Sequence, residues 1–307
     1  MGEASAFAVE SESGRGFASV FVTAPDGLRL HVRRYGSRAA AGLPVVCLAG
    51  FARTAADFHP LASALAHDPE APRSVWAIDY RGHGRSAYDR DPGNYRLGIA
   101  VDDVAAALTA LEIAPALFVG TGRGAVVTMM LAVSRPTAVA GAILNDSGPI
   151  VEAQGMMRLK SYVGKLPVPR SYQEGGEILR RLFAAQFSQL SPPEWTAFAQ
   201  RTWRESDGRL VPDYDVGLAR VLAAANLERP PTLWAQFDAL GRVPVMVIRG
   251  ANSDMLASTT LNAMLDRRAA IEIAVVPDQG HPPLLAEPKL IRRIADFAAS
   301  CDAAARR

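Results

Sequence analysis

Hydrophobic and polar residues alternate near the start of the chain in two stretches that a turn signal separates. Residues 17–23 and 28–35 have the two-residue period of strands with one buried face, and Pro25, Asp26 and Gly27 stand between them. This pattern predicts an antiparallel hairpin. Residues 1–16 carry mainly acidic, small and polar side chains, and we expect a flexible tail there.

Short apolar runs then alternate with stretches of helical periodicity. The runs occupy residues 44–50, 74–79, 116–120 and 139–145, and helical patterns cover 55–66 and 97–111. The same alternation returns near the C-terminus, with apolar runs at 243–250 and 271–276 and helical patterns at 259–268 and 287–299. Strands that alternate with helices predict βαβ units and a parallel sheet.

The segment between these two regions has a different composition. Residues 150–240 are rich in Met, Tyr, Trp and Arg, and prolines interrupt their helical stretches. We therefore predict a helical cap inserted into an α/β core, with the core formed by residues 17–149 and 241–307. Large cap side chains are candidates to line an apolar pocket or to pack the cap: Met156, Met157, Tyr162, Tyr172, Trp195, Phe198, Trp203, Tyr214 and Trp234.

Composition narrows the class of protein. The 307 residues are 49% hydrophobic and 21% charged, with a net charge of +2 and no long basic block, so we expect no nucleic-acid partner. The two cysteines form no metal or disulfide pattern. The N-terminus lacks a basic start followed by an apolar core, and no apolar run approaches the roughly 20 residues that cross a bilayer. These features predict a cytoplasmic protein with no membrane partner; oligomeric state stays open.

A turn between a predicted strand and a predicted helix is the first candidate site. Gly120-Thr121-Gly122-Arg123-Gly124 has the spacing and context of a nucleophile elbow, with small residues two positions either side of Gly122. Glycine at the centre tolerates the strained backbone of such a turn but supplies no hydroxyl. A nucleotide loop is disfavoured, because the spacing fits neither GxGxxG nor a P-loop with its lysine.

Three further segments follow predicted strands. Phe51 follows the strand at 44–50, and its backbone amide and that of Arg123 are candidate oxyanion-hole donors. Asp254 is the preferred orienting acid and His281 the candidate general base. Asp146, which follows another strand, is the competing acid. Each residue alone has an ordinary explanation, but the order nucleophile, acid, base, with each residue after the appropriate strand, is hard to obtain by accident.

With these motifs the chain resembles the α/β-hydrolase superfamily, particularly its capped members, and the turn at residues 79–86 (DYRGHGRS) adds to the likeness. The resemblance covers nearly the whole chain after the tail. It implies an α/β-hydrolase fold, a mostly parallel twisted sheet with helices on both faces, and hydrolysis of ester, lactone or amide bonds of a small apolar acyl substrate. It also implies no cofactor; the acids and histidines form no cluster with metal-ligand spacing. Relatives usually have serine where this chain has Gly122.

Three functional hypotheses follow. The first is a hydrolase whose nucleophile has been replaced, so that the chain is inactive or much reduced and Gly122→Ser restores turnover. The second is a ligand-binding protein on a hydrolase scaffold, without chemistry. The third is an enzyme in which His281 and Asp254 act as a general base without a covalent intermediate. Because one scaffold hosts many chemistries, fold alone does not rank them.

Overall fold

The computed structural model describes residues 7–11, 16–226 and 231–306. Nine strands form one sheet in the order β1-β2-β3-β5-β4-β6-β7-β10-β11, and β8 pairs with β9 in a separate hairpin. The first three pairings, up to β3 with β5, are antiparallel and the others are parallel. The strands are β1 (Phe7–Ser11), β2 (Ala18–Thr23), β3 (Arg29–Tyr35), β4 (Val45–Leu48), β5 (Val75–Ile78), β6 (Ala116–Thr121), β7 (Val139–Asn145), β8 (Trp203–Ser206), β9 (Arg209–Pro212), β10 (Val245–Gly250) and β11 (Glu272–Val276).

Helices follow most of the parallel strands. They are α1 (His59–Ala66), α2 (Leu97–Leu111), α3 (Arg123–Ser134), α4 (Ala153–Tyr162), α5 (Tyr172–Phe183), α6 (Pro192–Gln200), α7 (Leu218–Ala223), α8 (Trp234–Asp238), α9 (Ser258–Arg267) and α10 (Pro288–Ala305). Among the described helices, none combines the length and the hydropathy required to cross a membrane.

Two apolar layers cover the sheet, one on each face. On one face the cluster includes buried residues of α2, α3 and α9, and on the other it includes those of α1 and α10. Strands covered on both faces are continuously apolar, which explains the uninterrupted run Val45–Leu48 and its complete burial. The predicted α/β-hydrolase fold, a mostly parallel sheet with helices on both faces, is confirmed.

The predicted hairpin forms β2 and β3, but part of the predicted tail is a strand. Residues Phe7–Ser11 form the edge strand β1 and pair antiparallel with β2. Of the other positions in the predicted tail, Gly16 is described, and residues 1–6 and 12–15 lie outside the described residues. A five-residue edge strand gives a weak sequence signal, because one ladder of backbone hydrogen bonds is enough to hold it.

The insertion, defined here as residues 151–231, separates β7 from β10. It contains α4 to α7 and a hairpin that the helical prediction did not anticipate, β8 with β9. The Asp207-Gly208 turn, with φ of 50° and 71°, is the strongest short hairpin signal and was present in the sequence. Aromatic side chains give the insertion its own apolar cluster, in which Trp195 stacks on Phe198 with ring centroids 6.0 Å apart.

The C-terminal end of the predicted cap range returns to the core. Helix α8 packs against α3, and Phe237 and Leu240 belong to the apolar layer that α3 helps to form. The range 150–240 therefore contains a short core helix at its end. Residues 227–230, which connect the insertion to this helix, lie outside the described part of the chain.

Candidate active site

The turn between β6 and α3 has the backbone of a sharp elbow. Gly122 lies at φ 51° and ψ −110°, a conformation that side-chain-bearing residues rarely adopt. Its amide donates to the carbonyl of Asn145 on β7 at 3.0 Å, and its own carbonyl accepts from Ala125 in the first turn of α3 at 3.0 Å. These bonds place Gly122 at the carboxyl edge of the sheet, where ligands bind in open α/β folds.

The glycines on either side allow strand and helix to approach closely. A Cβ on Gly120 would lie 2.4 Å from the backbone of Gly124, and a Cβ on Gly124 would lie 2.0 Å from the carbonyl oxygen of Leu48. Both distances are far below van der Waals contact, and the opposing atoms are backbone. The small flanks that the sequence shows are therefore required by the geometry of the turn.

His281 faces the elbow from the loop after β11. An ideal Cβ on Gly122 would lie 3.1 Å from His281 Nε2. On the other side of the ring, Nδ1 lies 2.9 Å from Oδ2 of Asp146 and 3.1 Å from the Asp146 carbonyl oxygen. Both partners of Nδ1 are acceptors, so Nδ1 carries the proton and Nε2 is left as an acceptor directed at position 122.

Asp146 is fully buried and held from several sides. Its Oδ1 accepts from the Gly250 amide at 2.9 Å, and its Oδ2 accepts from the Ser253 hydroxyl at 2.6 Å as well as from His281. Its backbone amide donates to Ile248 on β10 at 2.7 Å. A carboxylate fixed in this way holds the imidazole in one orientation and one tautomer.

The preferred acid of the sequence analysis, Asp254, is therefore corrected to Asp146. Asp254 instead accepts two hydrogen bonds from Arg158 of α4, at 2.6 and 2.9 Å. Burial raises the pKa of Asp254, but the Arg158 guanidinium opposes this effect, and the net pKa lies below its ordinary value. Asp254 thus forms an ion pair between the insertion and the core, on the loop that the sequence favoured for the acid.

Phe51 and Arg123, whose backbone amides are the candidate oxyanion-hole donors, both lie at the site. Phe51 follows β4, and Arg123 is the first residue of α3, where an amide has no acceptor within its own helix. In the described part of the chain neither amide donates to a protein acceptor. Both residues line the same cavity as Gly122 and His281.

That cavity has a volume of about 480 Å³ and lies between the core and the insertion. Its described wall is mostly apolar. Of the large residues named in the sequence analysis, four line it: Met156, Tyr162, Phe198 and Tyr214. The other five pack elsewhere or face solvent. Trp195 and Trp203 are buried inside the insertion, Tyr172 packs against the same apolar cluster, Trp234 lies against the core, and Met157 is 56% exposed.

Arginines are the main polar feature of this wall, and no sequence motif marks their side chains. Arg53 binds both oxygens of Asp57, donates to the Thr202 hydroxyl at 2.8 Å and lies 4.8 Å from the centre of the Phe198 ring. Arg201 lies 3.6 Å from the same carboxylate. Arg53 and Arg201 are far apart in sequence, so only the fold brings them to one carboxylate.

Two histidines outside the site are structural. His31 is fully buried between Asp79 at 2.7 Å and Ser19 at 3.0 Å. This Ser-His-Asp arrangement has no access for a substrate. His83 is also buried, and burial lowers its pKa to about 4.

No group of three or more His, Cys, Asp or Glu side chains in the described residues is arranged to hold a metal ion. Cys47 and Cys301 are both buried and unpaired with each other.

Comparisons with known proteins agree with this architecture. A model of the alpha/beta hydrolase family matches residues 45–294. The crystal structure of an alpha/beta hydrolase from Novosphingobium aromaticivorans is 32% identical, with a TM-score of 0.84 over 92% of this chain and 98% of that chain. The 3-hydroxybutyrate-oligomer hydrolase of Cupriavidus necator is 30% identical over 262 residues, which are 82% of this chain and 87% of that protein. The 2-(acetamidomethylene)succinate hydrolase of Mesorhizobium japonicum is 24% identical over 254 residues, or 83% of this chain and 85% of that protein.

Proposed function

Because this chain belongs to the alpha/beta hydrolase family, we propose that it carries an ester-type hydrolytic site whose nucleophile position is occupied by Gly122. In this proposal His281 is the general base, Asp146 orients it, and the Phe51 and Arg123 amides form the oxyanion hole. The ligand is a small, largely apolar acyl compound held between the core and the insertion, which acts as a cap.

One observation carries the proposal. The ideal Cβ on Gly122 would lie 3.1 Å from His281 Nε2, with the backbone at φ 51°. A serine hydroxyl is one bond beyond that Cβ, so it comes within hydrogen-bond reach of Nε2 if the ring moves by a few tenths of an ångström. The turn, the base and the orienting acid are thus arranged around a side chain that glycine lacks.

With serine at position 122, the reaction would proceed through an acyl-enzyme. His281 would take the hydroxyl proton as Oγ attacks the carbonyl carbon, and would return it to the leaving alcohol oxygen. Water would then release the acid by the same two proton transfers. The two backbone amides would stabilise the negative oxygen of each tetrahedral intermediate.

With glycine, only water can attack. His281 Nε2 can accept a proton from a water molecule, but no covalent intermediate divides the reaction into two easier steps. In a serine protease, replacement of the catalytic serine lowers kcat by about 2 × 10⁶-fold. We therefore propose that the chain binds its ligand and turns it over slowly or not at all.

The relatives guide the choice of bond. One is named as a hydrolase of 3-hydroxybutyrate oligomers, which are joined by esters, and another as a hydrolase of 2-(acetamidomethylene)succinate. An ester panel is the appropriate first test because the stronger of these two likenesses is to the oligomer hydrolase.

The experiment compares the parent chain with Gly122→Ser and Gly122→Ala. The alanine variant is the matched control, since it adds the same Cβ near His281 and the same backbone strain but no hydroxyl. Substrates are 4-nitrophenyl esters of two to ten carbons together with the dimer and trimer of 3-hydroxybutyrate.

We expect Gly122→Ser to raise kcat by about 10³-fold or more over the parent, and Gly122→Ala to leave kcat unchanged. Addition of His281→Ala to the serine variant should abolish the gain. If the serine variant is no faster than the alanine variant on the whole panel, the proposal is wrong and a binding protein is the better account. If the parent is already fast and depends on His281, the water-activating base is the better account.

A further inference from the structure

The wall of the cavity carries more positive than negative charge. Its described charged residues, His281 aside, are Arg53, Asp57, Arg123 and Arg158. Arg158 is neutralised by Asp254 behind it. Arg123 donates to the carbonyl oxygen of Tyr95 at 2.8 Å, and no carboxylate lies within ion-pair distance among the described residues. An apolar cavity with surplus cations is unusual for a purely neutral ligand, because an unpaired buried charge is costly.

The excess of positive charge is greatest where the insertion meets the core. There, one carboxylate serves two guanidinium groups: Asp57 binds Arg53 through both oxygens and lies 3.6 Å from Arg201. We call Arg53, Asp57 and Arg201 the arginine cluster. It carries a net charge of +1. Arg53, Asp57 and the adjacent Thr202 line the cavity, whereas Arg201 is not part of the described lining and contacts two residues that are, Asp57 and Phe198.

Arg201 is the less satisfied member of the cluster. Its side chain is only 19% exposed, and within the described residues it makes no hydrogen bond; its contacts are Asp57 and the face of Phe198, 5.9 Å from the ring centre. Burial lowers the pKa of Arg201, which is the direction expected when a cation lacks a sufficient counter-charge. The nearby carboxyl Asp213 is directed to a different arginine, Arg204, at 3.5 Å.

We infer that the arginine cluster binds a carboxylate of the ligand, so that the substrate class is an ester with an apolar chain and a free carboxylate. This inference rests on the proposed function. A carboxylate at the cluster would supply the second negative charge for Arg201 and Arg53, and the apolar wall would hold the chain between the carboxylate and the ester. Charge-assisted hydrogen bonds of this kind strengthen binding by about tenfold to a hundredfold.

The test measures binding to the parent chain, in which Gly122 prevents an acyl-enzyme. Calorimetry compares each acid with its neutral methyl ester, in two series. Monomethyl adipate, suberate and sebacate carry the carboxylate on the acyl side, and the 3-hydroxybutyrate dimer carries it on the alcohol side. We expect at least one acid to bind about tenfold or more tightly than its methyl ester, and the series in which this occurs identifies the side.

Variants then locate the effect. Arg201→Gln leaves the Arg53–Asp57 pair intact and neutralises the cluster, so the acid-to-ester preference should fall to about one, whereas Arg201→Lys should retain much of it. Arg267→Gln is the matched control, because Arg267 pairs with Asp238 at the surface and contacts neither the described lining residues nor the arginine cluster.

Equal affinity for every acid and ester, binding of none at millimolar concentration, or an unchanged preference in Arg201→Gln would overturn the inference. These results are separable from failure of the proposed function. If Gly122→Ser hydrolyses neutral esters and no preference for acids exists, only the carboxylate site is wrong. If acids are preferred and the serine variant hydrolyses nothing, the site binds carboxylates without the proposed chemistry.

Discussion

The pairing of His281 with Asp146 rather than Asp254 predicts unequal effects for two matched substitutions. Asp146→Asn and Asp254→Asn each replace a carboxylate by an amide of the same shape. Both are best made together with Gly122→Ser, because that background provides a turnover to measure. The two residues follow neighbouring strands of the sheet, so the comparison isolates the contact with the imidazole.

The structure sets the expected size of the Asp146→Asn effect. An asparagine can keep its oxygen on the Gly250 amide and place its nitrogen where Oδ2 meets Ser253 and His281 Nδ1. That nitrogen is a donor, so it favours the tautomer with the proton on Nε2, which cannot accept from a nucleophile. The corresponding change in a serine protease lowers kcat about 10⁴-fold, which is about 5 kcal/mol of transition-state stabilisation.

Asp254→Asn acts on a different contact. It weakens the bidentate ion pair with Arg158. In this pair the Arg158 side chain is 19% exposed and the Asp254 side chain 12% exposed. We expect a loss of unfolding free energy of about 2 kcal/mol, less than for a fully buried pair, since water still reaches both groups. The value of kcat should change by less than about tenfold, because Asp254 makes no hydrogen bond to His281.

The assay is steady-state hydrolysis of a 4-nitrophenyl ester by the serine variant and by the two double variants. Urea unfolding of each protein reports whether the fold is retained and supplies the stability difference. A loss of about 10⁴ in kcat for Asp254→Asn, with little effect of Asp146→Asn, would falsify the assignment of the acid.

Further predictions concern stability. Gly124→Ala should destabilise the protein by about 3 kcal/mol or more, because its Cβ would lie 2.0 Å from the Leu48 carbonyl oxygen. Gly98→Ala in α2 should stabilise the protein by about 0.5–1 kcal/mol, because its Cβ would meet nothing within 4 Å. Urea unfolding of both variants tests this pair of predictions. Burial raises the pKa of Asp213 from 3.8 to about 7 despite Arg204 at 3.5 Å, so the folded state favours the protonated acid and stability falls as pH rises through about 4 to 7. Asp213→Asn should therefore raise the free energy of unfolding by about 2–4 kcal/mol at pH 8 and by clearly less at pH 5. An equal effect at both pH values would contradict the raised pKa of Asp213.

The sequence predicted the fold well because its signals are local. The run at 139–145 and the helical pattern at 97–111 coincide with β7 and α2 as observed. Buried parallel strands must be apolar on both faces, and amphipathic helices must present one apolar stripe, so each element can be predicted from its own residues. The elbow could be predicted for the same reason, since close approach of its strand and helix requires glycine at fixed spacing.

The acid could not be chosen from the chain alone. Asp146 directly follows β7 and Asp254 lies in the loop after β10, so each carboxylate follows a parallel strand and the local signals do not separate them. The difference lies in Arg158, which comes from the insertion, about a hundred residues before Asp254, and binds that carboxylate. The arginine cluster escaped prediction for the same reason, because Arg53 and Arg201 meet at Asp57 only after the insertion folds onto the core.

We propose above that position 122 is a nucleophile position from which the nucleophile is missing. Pre-steady-state hydrolysis of a 4-nitrophenyl ester, followed by mass spectrometry of the quenched protein, tests it most directly. We expect a burst approaching one equivalent of 4-nitrophenol and an acyl group on residue 122 in the Gly122→Ser protein, with neither in the parent chain or in Gly122→Ala. An acyl group on any other residue, or no burst in the serine protein despite steady turnover, would contradict it.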